Sequence, residues 1–203
     1  MESIEVQVLK KIKKAKGGAL FFVDSFQNQG NEKAVSKALE RLVLKGEIMR
    51  VATGIYVRPL TDSIIGLLTP GIEDIAKAIA KRDKARIVPT GIFALNRLGL
   101  STQVPLNVVY LTDGAPRKIK IENTTVTFKK TTPKNVAAVG EISRLAIQAL
   151  RTIGKANVTI EEIDKIQSLL RKEKRTKLEH DIRLAPAWIR EIMKPALKNS
   201  RNE

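Results

Sequence analysis

Apolar and polar positions separate most cleanly over Asn31–Lys45. Wrapped at 3.6 residues per turn, Ala34, Val35, Ala38, Leu39, Leu42 and Val43 share one face. Lys33, Ser36, Lys37, Glu40, Arg41 and Lys45 lie on or near the other. Asn31 suits the N-cap and Gly46 stops the helix. Two β-type runs follow, Glu47–Val51 and Gly54–Arg58, joined at Ala52-Thr53-Gly54. In them Ile48, Ile55 and Val57 are the inward positions, leaving Arg50, Thr53 and Arg58 for a partner. Upstream, Ile4, Val8 and Ile12 recur at i+4 in a helix over Ser3–Lys14 that Gly17-Gly18 ends. Ala19–Val23 is β-prone, and Asp24–Asn28 has room for one short helix anchored by Phe26. This order predicts a winged helix-turn-helix over residues 1–60, with Asn31–Lys45 as the recognition helix. Pro59 closes it.

Gly66, Thr69, Pro70 and Gly71 place a boundary near residues 60–70. A mixed α/β module over 70–203 follows. Its expected elements are a helix at Ile72–Asp83, a short helix between Pro89-Thr90-Gly91 and Leu98-Gly99, and a polar loop at Ser101–Pro105. Next come a buried strand at Asn107–Thr112 and a hairpin of Arg117–Ile121 with Thr125–Lys130 through Glu122-Asn123-Thr124. Lys118, Lys120, Lys129 and Lys130 alternate outward on that hairpin. From residue 136 the periodicity is helical, over Val136–Ile153, Thr159–Lys174 and Pro186–Asn199. Thr159 and Glu162 stand at capping-box spacing. The fold class is therefore α+β, a winged helix-turn-helix followed by a module with a small sheet and C-terminal helices.

Charge adds a partner to this outline. The 203 residues hold 37 Lys/Arg against 21 Asp/Glu, a formal +16, which points to a polyanion such as nucleic acid or an anionic membrane surface. The excess is grouped. Residues 1–60 carry 11 basic and 6 acidic side chains, 115–135 carry 6 and 1, and 165–203 carry 11 and 5. The stretches 61–114 and 136–164 are close to neutral. No run approaches the ~20 apolar residues of a membrane span, and no secretory signal is expected. With no cysteine, disulfides and thiolate chemistry are excluded. A cytoplasmic protein without a membrane partner is expected.

Candidate chemistry is sparse. The one histidine, His180, has no evident acid–base partner in the sequence, and the carboxylates Asp62, Asp74, Asp83 and Asp113 read as caps and turn residues. No phosphate-loop or dinucleotide motif is present. No enzyme, cofactor, metal site or catalytic residue is expected. On the recognition helix, Asn31, Lys33, Ser36, Lys37 and Arg41 are the residues for bases or phosphates of double-stranded DNA. Arg50, Thr53 and Arg58 are those of the wing. Arg171–Lys177, with five basic residues in seven, is either a binding run or a solvated helix end. Trp188 reads as a packing anchor. Few aromatics, 4% of the chain, disfavour a single-strand binder.

Certain segments resemble the AbiEi-type antitoxins of type IV toxin–antitoxin (abortive infection) systems. In the N-terminal part these are Phe26 with Gly30, Ala34-Val35, Ala38-Leu39, Arg41-Leu42, Gly46, Ile48, Arg50 and Gly54-Ile55-Tyr56. More specific are Thr90-Gly91 to Ala94-Leu95-Asn96, Leu98 to Pro105, Val109 to Gly114 with Arg117, and Ala185 to Ile189. Two departures stand out: Ser25 separates Asp24 from Phe26, and Thr53 occupies the wing position that is often basic. The resemblance implies an autorepressor acting on an operator with inverted repeats. It also implies an antitoxin that counters a nucleotidyltransferase-like toxin, usually without a stable complex. Arg97, Ser101, Thr102, Gln103 and Arg117 are the candidate surface of the second module. Two other classes stay open: an RNA- or ribosome-associated protein using the 115–135 and 171–177 blocks, and a module that binds its toxin directly.

Overall fold

The computed structural model describes residues 2–64, 66–121 and 123–199. They fall into two compact units, 1–79 with 119–123, and 80–118 with 124–203. The fold is α+β.

The first unit opens with helix α1 (Ile4–Lys14), whose N-cap Ser3 hydroxyl accepts from the Val6 amide at 3.4 Å. Strand β1 (Leu20–Phe22), a single 3-10 turn at Val23–Phe26 and helix α2 (Glu32–Leu44) follow. Strands β2 (Met49–Ala52) and β3 (Ile55–Val57) complete an antiparallel sheet in the order β1-β3-β2. The reversal between β2 and β3 needs Gly54, which sits at φ +71°, a backbone that side chains with a Cβ rarely adopt. Val8, Ile12, Phe21, Phe26, Val35, Leu39, Leu42, Ile48 and Tyr56 form one core. Each such large side chain contributes about 1.5–3 kcal/mol on burial. The apolar face expected for α2 is the one that is buried. The short helix expected at Asp24–Asn28 is only the 3-10 turn, because Phe26 is fully buried in this core and the chain turns once around it. Residues 60–70, expected as a boundary, hold an antiparallel hairpin of β4 (Leu60–Asp62) and β5 (Gly66–Leu68).

Helix α3 (Ile72–Arg82) buries Ile75, Ala76, Ile79 and Ala80. Beyond it lie β6 (Ile87–Pro89), helix α4 (Gly91–Arg97), β7 (Asn107–Thr112), β8 (Arg117–Ile121) and β9 (Thr124–Lys130). The sheet order is β6-β7-β9-β8, with β7 antiparallel to β6 and parallel to β9. The expected turn residue Glu122 lies outside the described residues, as do residues 200–203 at the end of the helical segment.

The C-terminal helices are α5 (Glu141–Ile153), α6 (Ile160–Leu170), α7 (Arg175–Leu184) and α8 (Ala187–Met193), the last continued by a 3-10 stretch at Lys194–Asn199. They enclose Ala146, Ile147, Ala149, Leu150, Ile166, Leu170, Leu178, Ile182, Ile189 and Met193, with Trp188 packed against that cluster. The capping box expected at Thr159 is present. Its hydroxyl accepts from the Glu162 amide at 3.2 Å, and the Glu162 carboxylate accepts from the Thr159 amide at 2.9 Å. Two expected spans are shorter than the pattern. Pro133–Val136 is a separate 3-10 turn and α5 starts only at Glu141. The Thr159–Lys174 span stops at Leu170, and α7 follows as a helix of its own.

The start of α5 is fixed by carboxylates from elsewhere in the chain. Asp181 accepts from the Val139 amide at 2.9 Å, from the Gly140 amide at 2.8 Å and from the Ser143 hydroxyl. Glu173 accepts from the Ile142 amide at 2.7 Å. Helix N-termini leave amides without partners and favour negative charge, so these two buried carboxylates satisfy both needs.

Candidate nucleic-acid interface

The Asn31 cap leaves the first turn of α2 at one edge of an open cavity of about 350 Å³, lined by Val23, Asp24, Gln27, Gly30, Asn31, Glu32 and Val35. The side-chain oxygen of Asn31 accepts from the Ala34 amide at 2.9 Å, so that atom holds the helix rather than a base. Asp24 and Glu32 make this end of α2 acidic and unfavourable for phosphate. Cationic contact along α2 therefore falls to Lys33 and Lys37, both exposed and without an ion pair among the described residues. Ser36 is half-buried between them. Arg41 is exposed but shared: its guanidinium lies 3.8 Å from the Glu5 carboxylate, which also pairs with Lys45. The Lys45 hydrogen bond, helped by the charges of Lys45 and Arg41, holds the Glu5 carboxyl below its ordinary value against the opposing effect of burial.

The hairpin divides its candidates in the same way. Arg50 and Thr53 are exposed. Arg50 stands near enough to Tyr56 to offset part of the rise that burial gives that phenol's pKa. Arg58, expected to face a partner, is drawn back instead. Its guanidinium donates to the Lys13 carbonyl at 2.9 Å and to the Ala15 carbonyl, where the last carbonyls of α1 need donors. Those bonds make Arg58 a cap for α1. The sequence alone singled out no lysine of α1 as a contact, yet Lys10, Lys11 and Lys14 line an open groove of about 350 Å³ with Glu2, Gln7 and Gln29. Lys11 also donates to the Ser25 carbonyl and lies 5.4 Å from the centre of the Phe26 ring. Lys14 extends basic surface beyond α2 and the hairpin.

In the second unit the candidate surface splits. Ser101 accepts from the Asn96 amide group at 3.2 Å through its carbonyl and from the Gln103 amide through its hydroxyl, which fixes the loop. Thr102, Gln103 and Arg97 are exposed. Arg117 is not joined to them, since its guanidinium is engaged by Asp83. Arg86 in turn bonds Asp113 through both backbone amide and guanidinium, at 2.7 and 2.8 Å. His180, without a visible partner in the sequence, has Asp181 at 2.8 Å, although that carboxylate is already occupied by α5. No group of three or more His, Cys, Asp or Glu among the described residues is arranged to hold a metal ion. No helix among them is long and apolar enough to cross a membrane.

A family model described as "Family of unknown function (DUF6088)" matches residues 7–178, most of the chain and both units. The chain belongs to the DUF6088 family. No curated protein matches it. Among solved structures, the DUF6088 chain is similar to that titled "Crystal structure of RV2827C protein from Mycobacterium tuberculosis". The TM-score is 0.44 and the identity 10%, over 98% of this chain and 82% of that one.

Proposed function

We propose that this protein is a DNA-binding autorepressor and antitoxin, with residues 1–60 acting as a winged helix-turn-helix. The observation that carries the reading is the outer face of α2, where Lys33 and Lys37 are exposed and without an ion pair among the described residues. It is followed directly by a hairpin presenting Arg50 and Thr53. The order α1, β1, turn, α2, β2, β3 and the sheet order β1-β3-β2 support this reading, with a single 3-10 turn standing where a winged domain has its second helix. A helix of that kind lies in the major groove, while the hairpin reaches the adjacent backbone. Lys33 and Lys37 reach guanine edges or phosphates, Ser36 reaches either, and Arg41 contributes once it leaves Glu5. Arg50 neutralises phosphate from the hairpin. Arg58 stays with α1.

The antitoxin half of the proposal rests on the resemblance carried by Thr90 to Gly114 and Ala185 to Ile189. The second unit would counter a nucleotidyltransferase-like toxin, with Arg97, Thr102 and Gln103 as its exposed candidate residues. DNase I footprinting on the region upstream of the protein's own gene tests the repressor half. Protection over inverted repeats is the expected result. Uniform, sequence-independent protection at every concentration would refute it.

A further inference from the structure

At 3.6 residues per turn, Lys33, Lys37, Glu40 and Leu44 fall on one stripe of α2, opposite the buried Val35, Ala38, Leu39 and Leu42. All four stripe residues are exposed. Only its first two members suit phosphate. Glu40 repels one, and Leu44, 87% exposed, offers it nothing. Nor does Glu40 serve as a local ion-pair partner. Lys37 precedes it by three residues on the same face, a spacing within side-chain reach. Yet Glu40 makes no ion pair or side-chain hydrogen bond among the described residues. Its charge is felt at the hairpin all the same. Burial raises the pKa of the Tyr56 phenol on β3, Arg50 on β2 opposes the rise, and Glu40 adds to it. Glu40 therefore stands where α2 adjoins the hairpin, with Lys37 beside it and Arg50 acting on the same phenol.

An ionised carboxylate accepts hydrogen bonds and donates none. In the major groove, cytosine shows a lone N4 donor, whereas adenine sets its N6 donor beside an acceptor that a carboxylate would repel. The guanine opposite cytosine shows only the acceptors O6 and N7, which a lysine meets. An acid and a base side by side on α2 thus complement the two halves of one base pair. We propose that Lys37 and Glu40 together read a single C·G pair, Glu40 accepting from cytosine N4 and Lys37 donating to guanine O6 or N7. Reversing that pair sets acceptor against acceptor, so its orientation is selected as well. The inference rests on the reading of α2 as the recognition helix and adds the base pair that the helix selects.

The test uses the full chain to select duplexes from a pool randomised over its centre. Wild type should enrich a motif in which one C·G pair depends on Glu40. Glu40→Ala, at an exposed position where substitution leaves the fold intact, should lose the preference at that pair and keep the rest of the motif. Glu40→Gln should move it to A·T, because an amide suits adenine N6 and N7. In titrations of the enriched duplex, exchanging that C·G for T·A should weaken wild-type binding about tenfold and leave Glu40→Ala binding unchanged. The same motif from wild type and both variants would overturn the proposal. So would Glu40→Ala binding that tightens equally on every duplex, the mark of a merely solvated acid. A motif that Lys37→Ala/Arg41→Ala loses and both Glu40 variants keep would leave the helix reading standing and the base-pair assignment refuted. A wild type that enriches no motif would refute the helix reading and this inference with it.

Discussion

Asp113 shows how single residues serve the fold here. Burial pushes its carboxyl pKa up, but the Arg86 amide and guanidinium outweigh that and hold it below the ordinary carboxylate value. A lowered folded pKa stabilises the protein above the unfolded value of about 3.9, and that contribution is lost as pH falls through the folded value. Asp113→Asn should therefore lower the Tm at pH 7, with the gap to wild type closing below about pH 4. Thermal melts across that range check it, and a gap that widens in acid would contradict the assignment. At this scale the sequence was legible for type and not for partner. Asp83 and Asp113 read as cap or turn residues, but nothing near them in the chain names Arg117 or Arg86. Arg58 misled for the same reason: an arginine at the end of a strand reads as exposed, and its bonds to the Lys13 and Ala15 carbonyls are made 45 and 43 residues away.

Among the elements, α2 and β7 were the clearest in sequence, α2 because its apolar period agrees with the face it buries and β7 because four apolar residues, Val108 to Leu111, run together just before the Asp113-Gly114 turn. Helix α7 was not visible, since two of its three buried residues, Leu178 and Ile182, stand beside a buried aspartate, Asp181, amid basic side chains. Burial of Asp181 depends on the amides of residues 139 and 140, far away in sequence. The same distant pairing explains why α5 begins at Glu141 rather than at Val136. Two substitutions distinguish local from tertiary control of helix starts. Thr159→Ala removes only a local capping box and should cost about 1 kcal/mol in chemical denaturation. Gly140→Ala should cost more, because a Cβ would stand 2.2 Å from the Ser143 hydroxyl and 2.6 Å from the Glu173 carboxylate. Equal costs would contradict the clasp at α5.

For the whole molecule, the charge of +16 suggested a polyanion but gave a misleading map of where one would bind. Within residues 1–60, Arg41 and Lys45 lose part of their availability to Glu5. Counting charges by sequence block misses which of them the fold pairs. Duplex binding should weaken with salt, log K falling by about 0.9 against log[salt] for every phosphate neutralised. An affinity flat from 50 to 200 mM salt would mean that the basic surface does not bind DNA. The central claim is that the exposed face of α2 reads sequence. Fluorescence anisotropy of the protein's own promoter duplex against a scrambled duplex, with wild type and Lys37→Ala/Arg41→Ala, addresses it directly. The account predicts that the variant loses about 1–3 kcal/mol per base contact on the promoter and far less on the scrambled sequence. Undiminished promoter preference in the variant would contradict it.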